Sequence, residues 1–361
     1  PLVETVVRER PGDTHVQDLL MVARSGNLPR HRVLHQFEGH TEPINAVCLS
    51  PNDHWAFSAS DDKTVRVWEV ATGRCVRTLR GHEGFVSSVF PSADSKRVLS
   101  GGKDATLRLW EVGTGRCVRT FSDSSMNDVY AVCLSGDGLL AVSGSLDKLV
   151  RFWEVETGQL LKTGEGHRYS VSSVACSADR RFALSGSFDR TLRLWETTTG
   201  RCLRIFEGHT GEVNAVGLSE DGKWAVSASK DQTLRLWEVA TGRCVRTFIG
   251  HTHAVSAVSL RADGKAMISA SYDQTVRLWD TSTGRCLRTR TGHTSDVDAA
   301  WFSSTGHFAI SGGYEKTLKL WEIASQTREI CTFQTFLQAT DPTQKTTAKE
   351  FAHLLQQSEE A

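Results

Sequence analysis

Serine, histidine and aspartate recur together along this 361-residue chain. They are the residue types of acyl-transfer hydrolysis, in which a base deprotonates a hydroxyl and an acid orients the base. Histidine follows glycine at His40, His82, His167, His209, His251 and His293. An acid stands at Asp62, Asp104, Asp147, Asp189, Asp231, Asp273 and Glu315, with a serine four residues before each, from Ser58 to Ser311. A catalytic triad is needed once, whereas this set returns in nearly every unit. That distribution fits a structural device, and no catalytic residue is assigned. Gly217 to Lys223 fits the G-x4-G-K half of a phosphate loop, but Trp224 stands where Ser or Thr would bind the metal. No HExxH, zinc spacing or dinucleotide fingerprint is present, so neither metal nor cofactor is expected. The chain reads as a non-enzyme.

The elements that carry these residues are repeats. Tryptophan recurs at Trp68, Trp110, Trp153, Trp195, Trp237, Trp279 and Trp321, spaced by 42 residues and once by 43, each followed by Glu or Asp. Within the fifth unit, "VNAVGLS", "WAVSAS", "TLRLWEV" and "RCVRTF" are strand-like runs separated by "SEDGK", "KDQ" and "ATG" turns. Four short strands per unit, Gly-His near one end and Trp-Glu near the other, resemble WD40 repeats. The resemblance covers residues 33 to 323. It implies an all-β, seven-bladed WD40 β-propeller, closed by an N-terminal strand, with short helical terminal extensions. "VLHQFEGH" (Val33 to His40) matches the outer-strand run "CVRTFIGH" and is expected to complete the seventh blade, which removes exposed sheet edges. Arg328 to Phe333, "REICTF", is the rival for that place. In this family the turn acid, the Gly-His histidine, the second-strand serine and the third-strand tryptophan form a buried hydrogen-bond chain. The resemblance therefore implies structural clamps of His40, Asp62 and Trp68; His82, Asp104 and Trp110; His167, Asp189 and Trp195; His209, Asp231 and Trp237; His251, Asp273 and Trp279; and His293 with Trp321. Trp153 stands without a histidine.

Such propellers commonly receive peptides or protein loops on the top face. The positions three and five after the histidine, and the one before the turn acid, point there. Mapped onto this chain they vary between copies while the scaffold repeats. Phe85, Tyr130, Leu146 and Phe188 are expected to group on blades 2 to 4, and Tyr272 and Tyr314 on blades 6 and 7, beside Asp296 and Asp298. Exposed aromatics in a group suggest an interface. The expected partner is an extended peptide or loop with an apolar anchor and a basic residue for the acids.

One copy is odd. "FSDSSMNDVYAV" (Phe121 to Val132) has Ser124-Ser125 in place of Gly-His and one extra residue. Losing the histidine is expected to free Asp147 for water or a ligand, next to Asp128 and Tyr130. Restoring Gly-His is expected to stabilise the blade.

Lys plus Arg and Asp plus Glu both number 42. With no net positive field, nucleic acid is not an expected partner. Recurrent arginines on the third strands (Arg66, Arg108, Arg151, Arg193, Arg235, Arg277) and twice on most fourth strands (Arg116 and Arg119, Arg243 and Arg246) read as a solvated, salt-bridged outer wall. No stretch approaches the roughly 18 apolar residues of a membrane span. Among nine cysteines, Cys75, Cys117, Cys202, Cys244 and Cys286 follow Thr-Gly-Arg, and Cys48, Cys133 and Cys176 lie in another apolar position. They read as apolar fillers in a reducing, cytoplasmic setting, and a monomer is expected. Residues 1–32 are expected to form an extension with a short helix (Val16, Leu19, Leu20 and Ala23 on one face), and 324–361 a tail with an amphipathic helix (Ala348, Phe351, Ala352, Leu355) after Asp341-Pro342. The function expected is a protein-interaction scaffold. The alternative is a regulatory or sensor module of a longer signalling chain of kinase or NTPase type, which the non-methionine first residue permits.

Overall fold

The computed structural model describes residues 33–323. They form seven four-stranded antiparallel sheets and, among the described residues, no helix. Six blades use four consecutive strands. Blade 1 runs Ile44–Leu49, Trp55–Ser60, Thr64–Glu69 and Cys75–Arg80 from the channel outwards. Blade 7 uses Val297–Phe302, Phe308–Gly313 and Leu318–Glu322, and Val33–Phe37 is its outer strand, pairing with Leu318–Glu322. The ring is thus closed by joining the start of the described chain to its end. Arg328–Phe333 and both expected terminal helices lie outside the described residues.

A single twisted sheet has no interior, so each core lies between blades. One cluster joins Phe37, Ile310, Leu318 and Leu320 of blade 7 to Ile44, Val47, Leu49 and Trp68 of blade 1, and the pattern continues round the ring. All seven motif tryptophans are at most 1% exposed. Each brings a large apolar surface with one N–H that must be satisfied when buried.

Each innermost strand carries a bulge at one place. Ile44 pairs with Ser60 and Ala46 with Ala59, which leaves Asn45 as the extra residue; Ser87, Tyr130, Ser172, Asn214, Ser256 and Asp298 are its counterparts. A bulge re-aims a side chain out of the pleat. Here the position five after the histidine is the one re-aimed.

The arginines do not form a salt-bridged wall, which corrects the expectation. On the fourth strands Arg119, Arg204 and Arg246 each donate at 2.9 Å to the carbonyls of Thr157, Thr241 and Thr283 in the next blade, and Arg77 donates to Gly113 O at 2.8 Å. These are staples between blades. The acids after tryptophan serve their own turns: Glu69 accepts from Thr72 at 2.6 Å, and Glu111, Glu154, Glu196 and Glu238 repeat the contact. Outside blade 3, the third-strand arginines Arg66, Arg108, Arg193, Arg235 and Arg277 lie half-buried under the Gly-His glycine. A Cβ on Gly81, whose φ is 150°, would fall 2.9 Å from Arg108 Nη1, and one on Gly208 would fall 2.5 Å from Arg235 Nη1. The positive φ favours glycine there, and any side chain would also have to displace the guanidinium tip. The Thr-Gly-Arg cysteines are also not uniformly fillers: Cys75, Cys117, Cys244 and Cys286 are exposed.

Candidate functional site

The serine–histidine–acid sets are buried and fully engaged. In blade 1, Trp68 Nε1 donates to Ser58 Oγ at 2.8 Å, Ser58 Oγ lies 2.7 Å from His40 Nε2, and His40 Nδ1 lies 2.6 Å from Asp62 Oδ2. Since the indole can only donate, the serine oxygen accepts there and its proton is free for Nε2. Nδ1–H then donates to the carboxylate, which makes the histidine a neutral Nδ1–H tautomer. His82, His167, His209 and His251 repeat this geometry with Asp104, Asp189, Asp231 and Asp273 at 2.7–2.8 Å, and His293 does so with Glu315. Ser58, Ser100, Ser185, Ser227, Ser269 and Ser311 are 0% exposed, so these hydroxyls cannot meet a substrate.

Burial pushes the Asp62 carboxyl up, but hydrogen bonds from His40 and Thr64 outweigh it and hold the group well below the usual carboxylate range. Asp104, Asp189, Asp231, Asp273 and Glu315 are shifted in the same direction by the same opposition. Burial lowers His40 and His293 against the raising effect of their acids. Each of these groups has a folded pKa below its unfolded one. Its stabilisation is therefore present above the unfolded pKa and lost as pH falls towards the folded one. The midpoint of thermal unfolding should fall steeply below about pH 4 as the acids lose their contribution. Between about pH 7 and pH 4 the loss from the two histidines is opposed by Asp298, whose raised carboxyl takes up its proton in the folded state first. A midpoint constant from pH 7 to pH 3 would contradict this account of the clamps.

Blade 3 corrects the reading of the odd copy. Asp147 is not released to solvent. Arg151, 1% exposed, turns into the space a histidine would occupy and forms ion pairs with Asp147 at 2.8 Å and Asp123 at 3.3 Å. Its guanidinium also donates to Ser145 and Ser125, each at 3.2 Å, while Trp153 Nε1 still reaches Ser143 at 2.9 Å. Without Gly-His there is no glycine backbone for the arginine to lie under, so the side chain fills the clamp instead. Asp123, in the lengthened loop, is the sequence signal that an extra carboxylate was there to receive it.

Backbone pairing explains how the top face is assembled. The residue before each turn acid donates its N–H to the residue three after the histidine: Lys103 to Phe85, Leu146 to Asp128, Phe188 to Ser170, Tyr272 to Ala254 and Tyr314 to Asp296, at 2.7–3.1 Å. The two variable positions therefore stand side by side on each blade. The bulge residues form a ring around the channel mouth, and most are spent on the scaffold. Asn45, Ser87, Ser172, Asn214 and Ser256 donate to the carbonyls of Val86, Val129, Val213, Val255 and Val297 in the following blade. Tyr130 and Asp298 are the two that make no such bond. The Tyr130 ring lies 6.1 Å from Phe188, with Leu146 40% exposed on the same blade as Tyr130. Phe85, 42% exposed, has Lys103 Nζ over its ring at 5.3 Å. Tyr169, 63% exposed in the loop leading into blade 4, belongs to no repeat series that would single it out.

Across the mouth, Tyr272 hydrogen-bonds Asp298, and Tyr314 is 61% exposed. Burial, with Asp296 and Asp61 adding repulsion against the Tyr272 bond, pushes Asp298 up to about 7. Burial, and then the charges of Asp298 and Asp296, push Tyr272 up to about 12. Among the described residues, no ion pair involves Asp61, Asp296 or Asp298. Asp61 instead accepts from Asn45 Nδ2 at 2.7 Å.

Seven bulged blades, six of them held by buried His–Ser–Trp clamps, define a class of repeat propeller whose variable residues are gathered at one mouth. The chain belongs to the WD40 family (WD domain, G-beta repeat), whose repeat matches residues 31–69, 73–111, 115–154, 158–196, 200–238, 242–280 and 284–322. This is typically a non-catalytic scaffold fold, and such propellers generally bind proteins. The chain is also similar to the ribosome biogenesis protein BOP1 homologs of Drosophila willistoni, Drosophila erecta and Drosophila melanogaster, at 49% identity over 43 residues. That stretch is 12% of this chain and 6% of each relative. The cytoplasmic location expected from the sequence is overturned by this likeness to ribosome biogenesis proteins. Among the described residues no helix is long and apolar enough to cross a membrane.

Proposed function

We propose that this chain is a non-catalytic protein-interaction scaffold, working as a single copy, that takes an extended peptide or protein loop across the channel mouth. Residues 33–323 supply the propeller, with 1–32 and 324–361 as extensions. A basic side chain of the partner meets Asp296 and Asp298 beside Tyr272 and Tyr314. An apolar side chain lies against Phe85, Tyr130, Leu146 and Phe188. Asp128 lines the same side, whereas Asp147 serves through Arg151 as a support beneath it. The observation that carries the reading is the broken ring: the two bulge residues not spent on stapling blades, Tyr130 and Asp298, are the centres of the aromatic and acidic groups. The likeness to BOP1 homologs spans one repeat's length and adds ribosome biogenesis as a setting in which to seek the partner.

The test is selection from a displayed peptide library, followed by fluorescence-polarisation titration of the winners. Selected peptides should be enriched in Lys or Arg paired with an apolar residue. Asp296→Asn with Asp298→Asn, and separately Phe85→Ala with Phe188→Ala, should each weaken binding about tenfold, or about 1.4 kcal/mol, with little change in melting midpoint. Binding unchanged in both double variants would sink this reading.

A further inference from the structure

Two thiols sit against one another where blades 3 and 4 meet. Cys133 lies on the innermost strand of blade 3 (Val129–Leu134) and Cys176 on that of blade 4 (Val171–Cys176). Their repeat positions differ. Cys133 matches Cys48 of blade 1, whereas Cys176 falls one place later, at the end of its strand. The offset lets the two side chains converge. Cys133 Sγ donates to Cys176 Sγ at 3.0 Å, about 1 Å longer than a covalent S–S bond of about 2.05 Å. Cys133 is fully buried, and Cys176 is half-buried and lines the central channel. One thiol is thus accessible to a small solute in the channel, and the other waits directly behind it.

We propose that Cys133 and Cys176 are a redox-modification site, a dithiol that a peroxide entering the channel converts to a disulfide joining blades 3 and 4. The Cys176 sulfur attacks the peroxide; its S–O bond forms, the O–O bond breaks, and with hydrogen peroxide one water leaves. The Cys133 sulfur then attacks the resulting sulfenic sulfur. The S–S bond forms, the S–O bond breaks, and the Cys133 proton leaves with the hydroxyl as a second water. Two thiols lose two electrons, and one hydrogen peroxide becomes two waters. The order follows from access: burial pushes the Cys133 thiol well up, which suits it to the second, intramolecular step. None of the other described cysteines has a hydrogen bond to a second sulfur, so an exposed thiol such as Cys75 stops at its own oxidation or pairs between molecules.

The test uses the full native chain. Trypsin places Cys133 in peptide 120–148 and Cys176 in peptide 169–180, each as the sole cysteine. After hydrogen peroxide treatment, alkylation in denaturant and digestion without reductant, the two peptides should appear as one disulfide-linked species. It should vanish on reduction and be absent from Cys176→Ala. The melting midpoint of the oxidised native protein should rise and return on reduction. The proposal is overturned if Cys133 and Cys176 are both still fully alkylated once Cys75 and Cys117 have been oxidised.

Discussion

Replacing Arg151 by methionine is expected to destabilise the protein by about 3–5 kcal/mol, measured as a shift in the urea unfolding transition. The guanidinium is 1% exposed and neutralises Asp147 at 2.8 Å. Methionine keeps much of the volume, so the loss is electrostatic rather than steric. Removing one partner strands a buried charge, and that costs far more than the net worth of the pair. Changing Asp147→Asn in the same chain should recover part of the loss, because the stranded carboxylate goes with it. Equal instability of single and double variants would contradict an ion-pair clamp. The same arrangement reverses the simplest expectation from sequence. Ser124→Gly with Ser125→His, made while Arg151 remains, adds an imidazole to a space already filled, and should destabilise blade 3.

Much of this was legible because the repeat is strict. Seven tryptophans spaced by 42 or 43 residues set the blades, and the Gly-His and acid positions set the clamps. Period-2 alternation and turn residues delimited the strands. What was hidden lay where one residue type has two available environments. Arg151 belongs to the same series as Arg66, Arg108, Arg193 and Arg235, yet it turns inward because serine replaces glycine and histidine above it. Asn45, Ser87 and Ser256 looked like a variable surface. They vary little in chemistry, however, because each must donate to a carbonyl in the next blade. The variable positions that fit no scaffold task are Tyr130 and Asp298, and only the cross-blade bonds separate them from their neighbours. Likewise the nearness of Cys133 to Cys176, 43 residues apart, depends on a one-residue offset between their positions in two neighbouring strands, invisible until the blades are set side by side.

Trp237→Ala should cost about 3–5 kcal/mol, the range for emptying a large buried aromatic site. His209→Ala should cost less, about 1–3 kcal/mol, for a buried carboxylate and hydroxyl left short of a partner. The two losses should not add. Trp237 Nε1 donates to Ser227 Oγ at 2.9 Å, and the same oxygen lies 2.7 Å from His209 Nε2, whose ring is 6.0 Å from the indole. With the indole gone, Ser227 is no longer fixed as a donor to Nε2, so part of the histidine's contribution is already lost. A double-mutant cycle should therefore return a coupling of about 0.5–3 kcal/mol. Trp237→Phe separates the contributions: it keeps most of the apolar burial but removes the N–H. If Trp237→Phe preserves the full His209–Trp237 coupling, the tryptophan acts by volume alone. If the coupling disappears, the indole proton is what orders the chain from tryptophan through serine and histidine to Asp231, and with it the loop that carries Glu212 and Lys230 to the top of blade 5.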